Sequence, residues 1–520
     1  MAEATTVESS PESNQPNGWS PKTKFGNWLN NYFQISNRGS NILKELIGGL
    51  VIFLAMFYIL PLNASMLSSS WVFGTDGLTV IATAANTKTI EGITYILIYG
   101  DLWASVSDVR AAVFAATAIS AAVTTIFMGF YGKLPVGLAS GLGLNSLIAY
   151  NVMLGLGYNF AQSMCLVMVD GILFLIISIT PLRGWIVRHI PKSLKFAISA
   201  GIGFFICFIG FQNMGIIADS ATLVSLGSFQ KPTVLLGLLG VVIVIALSAL
   251  PQKNKVLFWI NKFSVIIAIV FMAIICGAMG SAGVEGFSPF YDSSYSIASI
   301  GNIGKIFGSC FMGFDVFAQP MAYAFTFSLL FVDFFDTTGT LVGVEAGAGM
   351  VDENGNISID DRPAMIVDAV GTVFGSICGT TTVTSFVEST TGVAAGARTG
   401  LAAVVTGLLF GLSLLIYPAL SAFSTSAVTG LALVYVGICM FKNLEHLEWK
   451  DWVAVGSGFI TVIVMCVAYS ISDGIAWGFI TYTIMTLVAG RFKKDDIAVA
   501  ACSAAFLAIY IVKYATGIAK

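Results

Sequence analysis

Asp333, Asp336 and Glu388 lie in apolar stretches of this 520-residue chain, at positions where a carboxylate could bind a ligand or a proton. Asp333 and Asp336 belong to the run FTFSLLFVDFFDTTGTLVGVE, and Glu388 belongs to GTTTVTSFVESTTGVAAGARTG. On a helix the two aspartates share one face with Thr337 and Thr340, because the four positions fall at i, i+3, i+4 and i+7. Carboxylates accept hydrogen bonds from N–H groups strongly. The pattern therefore indicates that these acids contact a substrate or a proton.

The surroundings of these acids indicate membrane depth. A charged carboxylate at the bilayer centre costs roughly 2.5 to 3.5 kcal/mol even on the milder insertion scale, so such residues face a protein interior or a water-filled cavity. No Lys, Arg or His stands among the three acids. We therefore expect at least one of them to carry a proton at neutral pH, which suits proton coupling.

Composition predicts a polytopic helical membrane protein. Hydrophobic residues make up 56% of the chain and charged residues only 10%, and the apolar runs are about 20 residues long, the length of a transmembrane helix. The net charge of -3 argues against a nucleic-acid partner. The eight cysteines are scattered without a CxxC pair, which argues against a metal site or a disulfide framework. We expect no metal and no cofactor.

Hydropathy divides the chain into two sets of spans. The first set lies near 43–67, 108–132, 136–152, 160–182, 194–216, 232–250 and 257–280, and the second near 322–345, 363–379, 385–396, 399–420, 426–442, 452–471, 474–490 and 495–515. Basic residues before the first span and after the second, fourth and sixth predict a cytoplasmic amino terminus. The last three runs cannot all cross the membrane if both termini are cytoplasmic. We expect one of them to be re-entrant or a short hairpin.

Two broken segments occupy corresponding positions in the two halves. GKLPVGLASGLGLNSLIAY contains Pro135, four glycines and Asn145, and is third in the first half, as the segment of Glu388 is third in the second. Paired Gly-interrupted segments are the best sequence indication of a transporter site built on inverted repeats. The alternative is that each is a glycine-packed helix interface.

The motifs together resemble the AzgA-like purine permeases of the nucleobase/ascorbate transporter superfamily. The similar stretches are GLGLNSLIAY, IPKSLKFAISAGIGFFICFIGFQNMGI, LLFVDFFDTTGTLVGV, GTTTVTSFVESTTGVAAGARTGL and SISDGIAWGFITY, in the family's order over about residues 40–490. The resemblance implies an all-α membrane protein of about 14 segments in two inverted repeats of seven, with segments 3 and 10 broken by short β-strands. It also implies a homodimer in the plasma membrane.

This fold implies a division of the chain into a core and a gate. The expected parts are a disordered cytoplasmic tail (1–40), the first core repeat (41–182), the first gate repeat (183–280), a connector (281–320), the second core repeat (321–420) and the second gate repeat (421–520).

The resemblance also implies roles for particular residues. Asp333 and Glu388 match the family's substrate-contacting acids, and Asn145 matches the polar residue of the third segment. Asp336 matches the second acid of the eighth segment, where it either binds the ligand or a proton directly or bonds the backbone of a neighbouring broken segment. Phe386 could offer a stacking face. Thr337 is a further candidate contact because it shares the polar face.

The sequence departs from the family pattern at three positions. Asn63 is followed by Ala where the family usually has an Asn-Pro pair, Ser140 stands where Pro is usual, and Asp170 stands where Glu is common. The first two bear on substrate preference and uptake rate.

The prediction from the sequence is a secondary active transporter that imports hypoxanthine, guanine or adenine with protons by an elevator-like movement, and not an enzyme. No phosphate-binding loop is present to supply energy from a nucleotide. Two alternatives remain. An anion transporter of the same architecture would use a basic residue at the tenth segment, where Glu388 stands. An intramembrane aspartyl protease would need two acids on facing helices, and no GxGD sequence is present.

Overall fold

The fold is described from a computed structural model. The described residues are 23–69, 72–73, 80–81, 86–90, 93–180, 191–220, 223–251, 254–290, 296–348, 350 and 361–515.

The first half of the described chain contains ten α-helices. They are α1 (Lys24–Phe33), α2 (Ile42–Met56), α3 (Ile59–Ser69), α4 (Val106–Phe127), α5 (Leu142–Ser146), α6 (Phe160–Ile179), α7 (Lys192–Asn213), α8 (Pro232–Ser248), α9 (Lys255–Lys262) and α10 (Ser264–Ser281). The π-helical segments Met128–Gly132 and Leu147–Gly155 extend α4 and α5.

The second half of the described chain contains eight α-helices. They are α11 (Pro320–Gly347), α12 (Arg362–Cys378), α13 (Ser389–Ala394), α14 (Gly400–Leu412), α15 (Ser426–Phe441), α16 (Trp452–Val467), α17 (Ile471–Val488) and α18 (Ile497–Ala515). The 3-10 segments are Ile297–Lys305, Ser309–Met312, Phe314–Ala318, Ser413–Ser424, Lys442–His446 and Lys494–Asp496.

Short strands complete the described structure. They are β1 (Val72–Phe73), β2 (Val80–Ile81), β3 (Thr87–Ile90), β4 (Ile93–Tyr99), β5 (Leu102–Ser105), β6 (Leu138–Ser140), β7 (Ile217–Ser220), β8 (Leu223–Leu226) and β9 (Val383–Ser385). Most of these strands pair with near neighbours in hairpins. The exception is the antiparallel pair β6–β9, which joins the two halves of the chain.

The fold class predicted from the sequence is confirmed: the described chain is mostly helical, and its third and tenth segments are broken by β6 and β9. Eight helical segments of the described chain are long and apolar enough to cross a membrane. Five more apolar helices of the described chain are shorter, and the count of fourteen segments stays a prediction.

Two of the last three apolar runs form a helical hairpin. The turn between α16 and α17 contains Tyr469, whose ring lies 5.8 Å from that of Tyr150 and 5.3 Å from that of Phe205, measured between centroids. The Asn151 side-chain amide donates a 3.1 Å hydrogen bond to the Tyr469 carbonyl. This turn therefore packs against α7 and the third segment.

The segment 24–33 corrects the expectation of a disordered tail over 1–40, because it forms α1. The Thr23 hydroxyl accepts a 3.1 Å hydrogen bond from the Gly26 N–H and caps the helix. Phe33 and Ile35 are buried in a small cluster with Leu401. The apolar contacts with α14 account for the order of this segment, which a local count of polar residues does not reveal. Residues 1–22 lie outside the described part of the chain.

The predicted connector, 281–320, contains ordered 3-10 segments that contact the first half. The Lys305 ammonium lies 2.8 Å from the Asp108 carboxylate, and the Asn302 amide donates a 2.8 Å hydrogen bond to the same carboxylate. Both contacts reach the first turn of α4. Asp108 thereby joins the start of α4 to the connector.

The helices α7 and α15 cross at two reciprocal glycine pairs. A Cβ placed on Gly210 would lie 2.8 Å from the Gly430 carbonyl oxygen, and a Cβ on Gly430 would lie 2.7 Å from that of Gly210. Seven residues away, a Cβ on Gly203 would lie 3.0 Å from the Gly437 carbonyl oxygen. Small residues let membrane helices approach to backbone contact. The close packing of these two helices therefore depends on glycine.

We expect Gly210→Ala to destabilise the protein by about 1–3 kcal/mol, because the added methyl group must push the two helices apart. The measurement is the apparent melting temperature of the detergent-solubilised protein. The matched control is Gly301→Ala, where an added Cβ meets no atom within 4 Å. Equal melting temperatures for the two variants would contradict the importance of this crossing.

Candidate functional site

The site is built around the crossing strands β6 and β9. Ala139 pairs with Thr384 at the centre of this short antiparallel ladder. The ladder is extended by two backbone hydrogen bonds of 3.0 Å, from the Gly141 N–H to the Thr382 carbonyl and from the Phe386 N–H to the Gly137 carbonyl. The short helices α5 and α13 begin just after the strands. Irregular backbone of this kind is tolerated at membrane depth only inside protein or beside a cavity.

A cavity of about 120 Å³ lies where the two strands end. This volume is of the same order as a cavity of about 150 Å³ that holds benzene in another protein. The lining residues come from the start of α5, from α7, α11 and α15, and from the segment after β9. They are Gly141, Leu142, Gly143, Ser199, Ile202, Ile206, Asp336, Gly339, Thr340, Ser385, Phe386, Val387, Glu388, Val436, Cys439 and Met440.

Three of the six residues that the sequence predicts for the site line this cavity. These are Asp336, Phe386 and Glu388. Asp333, Thr337 and Asn145 are fully buried and are not among the lining residues. The structure therefore separates the predicted residues into a group at the cavity and a group behind it.

Glu388 is half-buried and is held by a residue that the sequence analysis did not identify. The Tyr58 hydroxyl donates a 2.7 Å hydrogen bond to Glu388 Oε1. Tyr58 is 5% exposed and lies at the break between α2 and α3. The sequence signal that could have located this break is Pro61, three residues after Tyr58.

Asp336 reaches the cavity from α11, together with Thr340 one turn further along the helix. Asp333 lies one turn earlier, where the Thr372 hydroxyl of α12 donates a 3.2 Å hydrogen bond to its Oδ2. Within the described residues Asp333 Oδ1 has no hydrogen-bond partner. The two acids of the polar stripe thus have different environments, one at the cavity and one in the packed interior.

Asp368 of α12 anchors the end of β9. Its carboxylate accepts hydrogen bonds from the Ser385 N–H at 2.8 Å and from the Ser385 hydroxyl at 2.6 Å. It also accepts a 3.0 Å bond from the Thr337 hydroxyl. Asp368 is not among the site residues that the sequence predicts. Its contacts hold in place the residue next to Phe386 in the cavity wall.

Asp170 of α6 is also fully buried. Neither of its carboxylate oxygens has a hydrogen-bond partner among the described residues.

A network of buried amide and hydroxyl groups links Asn63 of the first segment to the paired strands β6 and β9. The Asn63 amide donates hydrogen bonds to the Thr117 hydroxyl at 2.7 Å and to the Thr380 hydroxyl at 2.8 Å. The Ser140 and Thr380 hydroxyls are 2.7 Å apart. Asn63, which precedes one departure from the family pattern, and Ser140, which is another, therefore belong to one network. Proline at position 140 could not make this contact, because it has no hydroxyl.

Asn145 is bound to the other broken segment. Its Oδ1 accepts a hydrogen bond from the Thr381 hydroxyl, and its Nδ2 has no partner among the described residues. Asn145 therefore joins α5 to Thr381, which lies just before β9. Asn145 itself does not line the cavity.

The electrostatic character of the cavity is acidic. Asp336 and Glu388 are its charged residues, and none of its lining residues is Lys, Arg or His. Such a cavity offers hydrogen-bond acceptors to a ligand that carries N–H groups. It is poorly suited to an anion unless an acid is protonated.

Comparison with known proteins agrees with the predicted family. The chain matches the model Xan_ur_permease, described as Permease family, over residues 90–477. It is similar to the guanine/hypoxanthine permease PbuG of Bacillus subtilis, with 34% identity covering 90% of this chain and 96% of that protein. It is also similar to the adenine permease AdeP of Escherichia coli, with 32% identity covering 89% of this chain and 92% of that protein.

A solved structure supports the fold. The transmembrane domain of the cyanobacterial bicarbonate transporter BicA superposes with a TM-score of 0.55. The superposition covers 83% of this chain and 96% of that domain at 14% sequence identity. At this identity the likeness concerns the architecture alone.

Proposed function

We propose that this chain, which belongs to the xanthine/uracil permease family and is a multi-pass nucleobase permease of the membrane, imports purine bases together with protons. The proposed substrates are hypoxanthine, guanine and adenine. The relatives named as guanine/hypoxanthine and adenine permeases support this substrate class.

The observation that carries the proposal is the acidic cavity at the ends of the crossing strands. Purines present ring N–H and amino donors along their edges, and the Glu388 and Asp336 carboxylates are suitable acceptors. Backbone N–H groups near the start of α5 can donate to purine ring nitrogens or carbonyl oxygens. Phe386, which lines the same cavity, is proposed to stack on the ring.

The residues behind the cavity are proposed to support it. Asp333 bonds Thr372, while Thr337 bonds Asp368, and both bonds join α11 to α12. Asn145 joins the two broken segments. These residues would set the position of the cavity wall and would not contact the purine.

Proton coupling is proposed because no Lys, Arg or His stands among the residues that line the acidic cavity. Asp336 and Glu388 are the proposed coupling residues, because a carboxyl group facing a cavity can gain and lose a proton as the cavity changes its exposure. The proposed movement is elevator-like, with the core that carries β6 and β9 sliding against the gate that contains α7 and α15. We also propose a homodimer in the plasma membrane with a cytoplasmic amino terminus.

Uptake of radiolabelled hypoxanthine, guanine, adenine, xanthine and uracil into cells without their own permeases tests the proposal. We expect saturable purine uptake whose accumulation falls about tenfold on addition of a protonophore, because one proton moving down one pH unit provides about 1.4 kcal/mol. Cells carrying the empty vector are the control. Purine uptake that is insensitive to the protonophore but requires sodium would contradict proton coupling and leave the purine site intact.

An anion transporter of the same architecture is the second candidate, and it is the alternative that the sequence left open. The lack of Lys, Arg and His in the cavity lining is evidence against it. Saturable uptake of labelled bicarbonate without any purine uptake would support this candidate. An intramembrane aspartyl protease is disfavoured, since Asp333 and Asp336 both lie on α11 and only Asp336 lines the cavity.

A further inference from the structure

The first transmembrane segment is broken at Phe57 and Tyr58, between α2 and α3. Pro61 explains the position of the break. Proline has no N–H to bond the carbonyl four residues earlier, and its ring clashes with that carbonyl. The residue four positions before Pro61 is Phe57, whose carbonyl instead accepts a 3.3 Å hydrogen bond from the Leu60 N–H.

The break directs the Tyr58 side chain toward the tenth segment. Its hydroxyl donates the 2.7 Å hydrogen bond to Glu388 Oε1, while the side chain as a whole is only 5% exposed. Tyr58 is not among the residues that line the cavity, whereas Glu388 is. Tyr58 therefore reaches the cavity only through Glu388.

The hydrogen bond has a definite consequence for a ligand. A carboxylate has about four acceptor positions on its two oxygens, so Tyr58 occupies one and leaves others for a ligand. A phenol that donates to a charged acceptor makes a short and strong bond. This bond fixes the rotation of the Glu388 carboxylate, and with it the direction in which the remaining lone pairs point.

We propose that Tyr58 is a positioning residue that sets the orientation of Glu388 and thereby the selectivity for the N–H edge of the substrate. The proposal rests on the proposed function, because it assumes that Glu388 accepts a hydrogen bond from a purine ring N–H. Tyr58 would thus act on selectivity from the first segment, through Glu388 and without contact with the purine.

The test is Tyr58→Phe, which removes one hydroxyl and keeps the ring. We expect the KM for hypoxanthine to rise about five- to tenfold while the maximal rate stays within about twofold, because Glu388 remains present but loses its orientation. The matched control is Tyr158→Phe. Tyr158 is 3% exposed, and its hydroxyl has no hydrogen-bond partner in the described chain. We expect this variant to keep the KM of the unmodified protein.

A second readout separates positioning from a general loss of stability. Hypoxanthines methylated singly at N1, N7 or N9, the ring nitrogens that can carry a hydrogen, are used as competitors of uptake. The competitor rejected most strongly indicates the N–H group that is proposed to donate a hydrogen bond to Glu388. In Tyr58→Phe we expect that rejection to shrink several-fold while the other competitors keep their ratios. A structural defect alone would not change one ratio selectively.

A binding measurement covers the case in which Tyr58→Phe does not transport. Cys439 lines the cavity, so hypoxanthine should protect it from a small thiol reagent in the purified protein, as followed by mass spectrometry of its peptide. Weaker protection in Tyr58→Phe than in Tyr158→Phe is the expected result. Equal KM, equal competitor ratios or equal protection would overturn the role of Tyr58. Failure of the unmodified protein to take up any purine would instead refute the proposed function.

Discussion

Glu388→Gln is expected to lower purine uptake by at least about 100-fold in Vmax/KM. Hydrogen bonds to a charged acceptor contribute about 1.5–3 kcal/mol, and a donor left without its acceptor in a closed site adds a further cost. About 2.7 kcal/mol corresponds to two tenfold steps. Glutamine has nearly the shape of glutamate but presents an amide N–H to the ligand in place of one acceptor oxygen. The measurement is initial uptake of labelled guanine, hypoxanthine and adenine.

The control for this prediction is Glu285→Gln, at an exposed position in the loop after α10. It makes the same chemical change away from the cavity, and uptake should stay within about twofold of the unmodified protein. The amount of each variant in the membrane is measured in parallel. If Glu388→Gln transports purines at the level of Glu285→Gln, Glu388 is not a substrate contact.

Asp336→Asn is expected to lower purine uptake by about 30-fold, while Asp333→Asn changes it by no more than about threefold. Asp336 lines the cavity, so the substitution removes both an acceptor oxygen and a group that can exchange a proton. Asp333 is fully buried with one bond from Thr372. Asparagine is nearly isosteric with a protonated aspartate and can still accept from Thr372, so little is lost.

This pair of variants is its own control, because both positions lie on α11 and undergo the same chemical change. Uptake is measured with and without a proton gradient. We expect Asp336→Asn to lose most of the difference between the two conditions and Asp333→Asn to retain it. The reverse result would restore Asp333 as the residue in contact with ligand or proton, as the resemblance to the family implies.

Much of the architecture was predictable from the sequence, because membrane insertion makes strong demands on composition. Long apolar runs have no other stable solution than helices across the bilayer. Gly, Thr and Ser in two otherwise apolar segments indicated breaks, and both breaks are present as β6 and β9. The acids were notable for the same reason, since a carboxylate in an apolar run requires a protein environment.

Tertiary packing decided which of the acids line the cavity and which are buried behind it. Helical periodicity places Asp333 and Asp336 on one face, but it does not say which turn of that face meets a cavity. Asp333 is fully buried and accepts a hydrogen bond from Thr372 of α12, whereas Asp336 lines the cavity. Asp368, which the sequence analysis did not select, is the residue that bonds the end of β9.

Contacts between segments distant in the chain also could not be predicted from local sequence patterns. The Tyr58–Glu388 bond joins residues 330 positions apart. The order of α1 depends on Leu401 of α14. The sequence by itself determined that carboxylates and broken backbone must be enclosed at membrane depth, because the bilayer cannot solvate them. Only the tertiary structure decided which partners enclose each one, because such contacts depend on how whole helices cross.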